Sequence, residues 1–343
     1  FILWGSAPFV AYWISKDKKE AEPNVTEEDR QQLGRIARKT WRYFEEFVNA
    51  KNHYLAPDNY QADPPRGIAN RTSPTNIGLG LLSILTARDL GYISTSWMME
   101  LLDRTVTNVE KLEKWNGHLY NWYDTRSLTP LRPLYASTVD SGNLVGYLIT
   151  LGQGLRDILH SPLVDSRFSQ GMRDTLLCAG ADGLAVFNSI SSGNRLPGED
   201  PVDLVSWNQS LGDWMQSLVF DKIKSDVWRG KTEHQIRMYQ YELTNLMPSV
   251  RLLSEIPHDL IRDEAGEEIA GLMNELKTLL GQNIELHKLP VLYKDSAACA
   301  ACLIELLSQS SVEEHQESLD WLSELTQALS SALEATEQLI RKG

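Results

Sequence analysis

Three short segments hold residues whose types and spacing are suited to binding chemistry. Arg71-Thr72-Ser73-Pro74-Thr75-Asn76-Ile77-Gly78 sets a guanidinium, hydroxyls and an amide at the start of a helical pattern. Arg71, Thr72, Ser73 and Asn76 either face a ligand or simply cap that helix. Gly117-His118-Leu119-Tyr120-Asn121-Trp122-Tyr123-Asp124-Thr125 places stackable aromatics beside an amide and a carboxylate. Aromatic faces pack on the apolar faces of sugar rings, and planar polar groups fix the hydroxyls, so Trp122, Tyr123 and Asp124 suit a sugar site. They equally suit an aromatic corner of the core with Asp124 as a cap. Ser137-Thr138-Val139-Asp140-Ser141-Gly142-Asn143-Leu144 is a second helix start, where Asp140 and Asn143 point into a pocket or cap the helix. Asp124 and Asp140 are the obvious carboxylate pair here. Glycoside chemistry needs two carboxyls about 5 to 9.5 Å apart, a distance that sequence does not supply, so neither is assigned as acid, base or nucleophile.

Other chemistry finds little support. The chain has no phosphate-binding loop, no His-Glu-x-x-His, no Gly-x-Gly-x-x-Gly and no Gly-x-Ser-x-Gly. Cys299-Ala-Ala-Cys302 has the spacing of a metal or redox pair but lacks the further Cys pair or nearby His that completes a zinc site. It reads as two small apolar residues on a helix face, and neither a metal nor a cofactor is expected. His118 sits in a loop and reads either as a structural residue or as one that bonds a ligand. No aspartate-rich metal motif of the terpene-cyclising type is present.

The elements that must carry these segments are helices. Leu33, Ile36, Ala37, Trp41, Phe44, Phe47 and Val48 recur at helical spacing after a Thr26 to Asp29 start resembling a capping box, so a helix is expected over about 26–49. The Pro-, Asn- and Asp-rich stretch from Asn52 to Pro74 reads as a long functional loop. Helical periodicity resumes over 75–89, from Ser94 to Leu112, from Leu144 to Ile158, from Phe168 to Leu177, from Leu204 to Leu218 and from Ile269 to Leu280, with more from Ser296 and from Val312. No stretch alternates with a period of two, so strands are expected only as short pieces near Tyr120 or Tyr135. The chain is therefore all-α. Without a fixed sequence repeat, a helical toroid or bundle is favoured over a solenoid.

The chain has 343 residues, 42% hydrophobic and 23% charged, enough for one large domain or two ordinary ones. Its net charge of −13 lacks the basic footprint that phosphate backbones require, so nucleic acid is not an expected partner. Three cysteines fit a reducing compartment. The uncharged run Phe1 to Ser15, followed by Lys16, Lys18 and Lys19, reads either as a membrane helix leaving on the cytoplasmic side or as a segment packed on the following domain.

The three segments, with Leu55-Ala56-Pro57-Asp58-Asn59-Tyr60-Gln61, resemble the middle, glycoamylase-like domain of bacterial cyclic β-1,2-glucan synthases. The resemblance is dense from about Leu33 to Leu148 and weak beyond about His160. It implies an (α/α)6 toroid-like barrel, incomplete at the C-terminal end, that closes linear β-1,2-glucan into a ring by transglycosylation. Residues 1–20 would then be the end of a membrane-proximal or transmembrane segment, and residues 21–343 the first part of the toroid. The setting implied is the inner membrane, cytoplasmic side, next to glycosyltransferase and phosphorylase-like domains of a parent chain. The family's motifs of the Ser-Glu-Ala-Arg-Leu and Ile-Ser-Glu-Ser-Ala type, with the glutamates proposed for its chemistry, do not occur here. Arg71, Thr72, Ser73, Asn76, Trp122, Tyr123, Asp124, Asp140 and Asn143 are accordingly expected as substrate-binding residues, with no catalytic residue assigned. The alternative is a helical protein-interaction scaffold of a membrane-associated protein.

Overall fold

A computed structural model describes residues 2–15, 25–193, 204–216, 218–260, 266–309 and 315–342. The protein is all-α: 73% of the described residues are helical, and the few strands among them are two residues long. Helix α1 (Ile2–Ile14) stands exposed, with Trp4, Phe9 and Trp13 open to solvent. Its 13 residues rise about 20 Å against the roughly 30 Å of a bilayer core. Among the described residues no helix is long and apolar enough to cross a membrane.

Helix α2 (Glu27–Phe47) begins at the Thr26 capping box: Thr26 Oγ1 accepts from Asp29 N at 3.1 Å, and Thr26 N donates to Asp29 Oδ2 at 3.0 Å. Helices α3 (Pro74–Asp89), α4 (Thr95–Lys111) and α5 (Thr138–Leu159) start with Ser73, Ser94 and Ser137 at the cap, each hydroxyl accepting from a backbone N–H of the first turn. Helices α2, α4 and α5 all pack against α3, around Ile77, Leu81, Ile84 and Leu85. Helix α6 (Ser166–Leu177) then crosses back onto α2, and α7 (Ala181–Gly193) follows it. The closest approach is at Gly91 and Gly171. Gly91 has φ +71°, and a Cβ added there would lie 1.8 Å from Arg167 O, so only glycine fits the turn between α3 and α4.

The remaining helices α8 (Leu204–Gln216), α9 (Asp226–Leu246), α10 (Ser249–Leu252), α11 (Glu267–Leu280), α12 (Leu289–Gln309) and α13 (Gln316–Lys342) complete the described chain. Helices α12 and α13 form an antiparallel pair seamed by Leu303, Leu307, Leu322, Leu325 and Leu329, and α13 rests on α9 and α4. Helix α9 joins the two groups through buried polar contacts. Arg38 of α2, 1% exposed, donates to Thr175 Oγ1 at 2.9 Å and pairs with Glu45 at 3.2 Å, and Lys231 reaches Glu45 at 2.6 Å. Glu242, fully buried, accepts from the backbone N–H groups of Thr95 and Ser96 at 3.3 and 2.6 Å and so completes the start of α4. Burial pushes the Glu242 carboxyl up despite those bonds.

One expectation is corrected. The stretch from Asn52 to Pro74 is more ordered than a loop. It contains a β1 (Tyr60–Gln61) and β2 (Gly67–Ile68) hairpin in the register Tyr60↔Ile68, followed by β3 (Arg71–Thr72). Two-residue strands are too short to print an alternation. Strands β4 (Lys114–Trp115), β5 (His118–Leu119) and β6 (Tyr123–Asp124) flank Tyr120, whereas Tyr135 lies in none and accepts Asn121 N at its carbonyl. Helices α7 and α9 were not singled out by periodicity. In α9 the buried face includes Thr232, Gln235 and Glu242, which interrupts the apolar spacing.

Candidate functional site

The site grows from two helix starts and one strand pair. Because α3 and α5 pack together, their first turns meet: Thr75 Oγ1 donates to Asp140 Oδ1 at 2.7 Å and accepts from Asn143 Nδ2 at 3.2 Å. The caps set the rotations, with Ser73 Oγ accepting from Asn76 N and Ser137 Oγ from Asp140 N, both at 3.2 Å. Strand β3 pairs antiparallel with β6 in the register Arg71↔Asp124 and Thr72↔Tyr123, which brings Trp122 alongside Arg71. The Arg71 guanidinium lies 4.6 Å from the centre of the Trp122 ring. Its Nε and Nη2 also donate to Asp58 Oδ2 at 3.0 and 2.8 Å, and Asn76 Nδ2 donates to Asp58 Oδ1 at 3.3 Å.

Asn121 closes the network. With its amide oriented to satisfy both ends, Oδ1 accepts from Trp122 Nε1 and Tyr135 Oη, each at 2.6 Å, and Nδ2 donates to Asp140 Oδ2 at 3.1 Å. One continuous set of contacts therefore runs from Asp58 through Arg71, Trp122, Asn121, Asp140 and Thr75 to Asn143. Burial raises the Asp140 pKa, but hydrogen bonds from Ser137, Thr75 and Ser73 outweigh it and hold the carboxyl below its ordinary value. Asp140 is thus an ionised acceptor at neutral pH, suited to receive a hydroxyl and unsuited to donate a proton.

The structure divides the nine sequence-predicted residues. Arg71, Asn76, Trp122, Asp140 and Asn143 share this network. Ser73 is the cap beneath it, and Thr72 is fully buried. Tyr123 is fully buried too. Its hydroxyl donates to Glu113 O at 2.6 Å and accepts from Tyr120 N at 2.7 Å, and burial pushes its pKa up to about 12. Asp124 Oδ1 accepts from the backbone N–H of Arg126 and Ser127 at 2.8 and 3.0 Å, closing a turn. Tyr123 and Asp124 therefore build the frame, while Asp58, Thr75, Asn121 and Tyr135 join the network unpredicted. The signal for Asp58 was its place before an Arg that needs a counter-charge. Asn121 carried one as the amide beside the aromatics, but its bridge from Trp122 to Asp140 depends on the register of β3 with β6. Elsewhere, Cys299 is buried with its thiol on Leu272 O at 3.3 Å, Cys302 is exposed, and His118 is exposed on β5.

Comparison with known proteins finds a relative that matches about half of the chain. Over 162 residues the chain is 43% identical to the cyclic beta-(1,2)-glucan synthase NdvB of Rhizobium meliloti (strain 1021). The match is to part of a glucan synthase. It takes in 47% of this chain and 6% of that protein's length. No protein-family model matches the chain. A solved structure from Bacteroides fragilis, described as a glucoamylase, aligns with 67% of this chain and 39% of its own at 15% identity, with a TM-score of 0.28. At that score the alignment carries no weight for the fold.

Proposed function

We propose that the chain supplies part of the glucan-binding face of a glycoamylase-like (α/α)6 toroid that transglycosylates linear β-1,2-glucan into rings. The observation that carries the reading is the Trp122 site. An indole ring, half-buried and braced by Arg71, stands beside an ionised Asp140 and the amides of Asn76, Asn121 and Asn143. The ring offers an apolar face for a pyranose, and the carboxylate and amides offer acceptors and donors for its hydroxyls. The identity to a cyclic β-1,2-glucan synthase supports β-1,2-glucan as the ligand.

The depressed pKa of Asp140, the ion pair that commits Asp58 to Arg71 and the turn-forming role of Asp124 leave no carboxyl of this network suited to donate a proton. This chain accordingly binds and orients, and the reacting carboxyls belong to motifs that it does not contain. Glycosyltransferase and phosphorylase-like domains of a parent chain, and the cytoplasmic face of the inner membrane next to α1, complete the setting. The test is mass spectrometry of products from linear β-1,2-glucan. A parent enzyme with Trp122→Ala is expected to form fewer rings at limiting glucan, and undiminished rings would refute the site.

A second reading has its own support. Helix α5 leaves Val139, Val145 and Ile149 more than half exposed, a face suited to a protein partner and to a scaffold role. A partner retained by Val145→Lys and Ile149→Lys variants in a pull-down would refute it.

A further inference from the structure

The last turn of α5 meets the 3₁₀ turn Leu286–Lys288 that precedes α12, and three metal-ligating side chains converge there. His160 caps α5, while Glu285 and His287 belong to the turn. One ligand atom from each lies within 4.8 Å of the others. The imidazole rings are 4.6 Å apart, centre to centre, and Glu285 Oε2 lies 3.3 Å from His287 Nδ1 and 3.8 Å from His160 Nδ1. Among the described residues this is the one group of three or more such side chains close enough to hold a metal ion.

The surroundings prepare the group in two ways. The backbone fixes the two segments independently of any ion: Pro162 bridges Glu285, Leu286 N donates to Ser161 O at 3.0 Å, and Asn283 Nδ2 donates to Val164 O at 2.9 Å. The polar partners also divide the work. Lys288 takes Glu285 Oε1 at 3.1 Å and leaves Oε2 toward the imidazoles, while His287 Nδ1 lies 2.9 Å from Leu159 O. Donation to that carbonyl, the usual second contact of a metal-bound histidine, leaves Nε2 as the His287 ligand atom, and the 3.3 Å approach of Glu285 Oε2 to Nδ1 holds the carboxylate beside the ring without itself being a ligand contact.

We propose that His160, Glu285 and His287 bind a divalent transition-metal ion of the zinc class, pinning the C-terminal end of α5 to the start of α12. Two imidazoles and one carboxylate oxygen give three protein ligands, with water in the remaining position. Imidazole nitrogens select borderline cations over Mg²⁺ and Ca²⁺. The site is separate from the Trp122 network and stands whether or not the chain binds glucan.

The test is calorimetric titration of the EDTA-stripped chain with zinc chloride, with thermal unfolding in parallel. One equivalent is expected to bind, with excess magnesium unable to displace it, and Tm should rise by a few degrees at saturation. His160→Ala and His287→Gln should each weaken binding at least tenfold while leaving the metal-free Tm within about a degree. The absence of a one-equivalent event in the intact chain would overturn the proposal. So would unchanged affinity in a chain carrying both His160→Ala and His287→Gln, which would assign the zinc to other histidines or cysteines.

Discussion

Trp122 is tied at both its face and its edge, by the Arg71 guanidinium and by Asn121. Trp122→Ala is expected to weaken binding of β-1,2-gluco-oligosaccharides about tenfold, close to the ~1.4 kcal/mol of one good aromatic contact, with little change in Tm. Isothermal titration checks this. Asp140 has a folded pKa below its unfolded value, so its contribution is present above about pH 4 and is lost as the pH falls through the folded value. Affinity should therefore be level through neutral pH and decline only below about pH 4. Asp174 has the opposite sign. Burial beside Tyr92 pushes it up to about 6, so the folded chain holds a proton that the unfolded chain releases near 3.9. Its stability falls as pH rises from about 4 to 6 and stays lower above that. Asp174→Asn should raise stability at pH 7 by at most about 3 kcal/mol and flatten this slope, as urea unfolding at pH 4.5 and 7 would show. At this scale the sequence reveals types but not pairings. Trp122 and Tyr123 are adjacent and equally aromatic, yet neighbours on an extended segment point to opposite sides, and only Tyr123 enters the core.

The elements are held by a few close approaches that tolerate no added atoms. Gly91→Ala would force a methyl group against Arg167 O and a residue with a Cβ into the left-handed region. A loss of more than about 3 kcal/mol is expected in denaturant unfolding. Glu242→Ala would strip the first turn of α4 of its acceptor and leave a cavity, at a cost of about 2 to 4 kcal/mol. Helix starts were legible because a cap is a local event: Thr26, Ser73, Ser94 and Ser137 each bond within their own first turn. Helix α9 was not, because Thr232, Gln235 and Glu242 interrupt its apolar inward face, and Gln235 and Glu242 find their partners on other helices, which no local spacing reveals.

At the scale of the whole molecule, the chain carries an apolar surface that its own described elements leave open. Val145 and Ile149 sit one turn apart on α5 and are exposed, as is Leu79 on α3. Paired Val145→Lys and Ile149→Lys changes are expected to reduce self-association, measured by sedimentation velocity, without lowering Tm by more than a degree or so. The all-α class followed from the period of the hydrophobic pattern. The arrangement of the helices did not, since periodicity reports which side of a helix is covered and says nothing of what covers it. The strand pair under the site has a kinetic consequence. Arg71 and Asp124 pair across a sequence separation of 53, and His53 Nδ1 contacts Thr125 O across one of 72. Closing such loops costs chain entropy that only the packing of α3 against α4 and α5 offsets. During refolding, the environment of Trp122 should therefore mature after the helices have formed, making its fluorescence the slow reporter of a site assembled last.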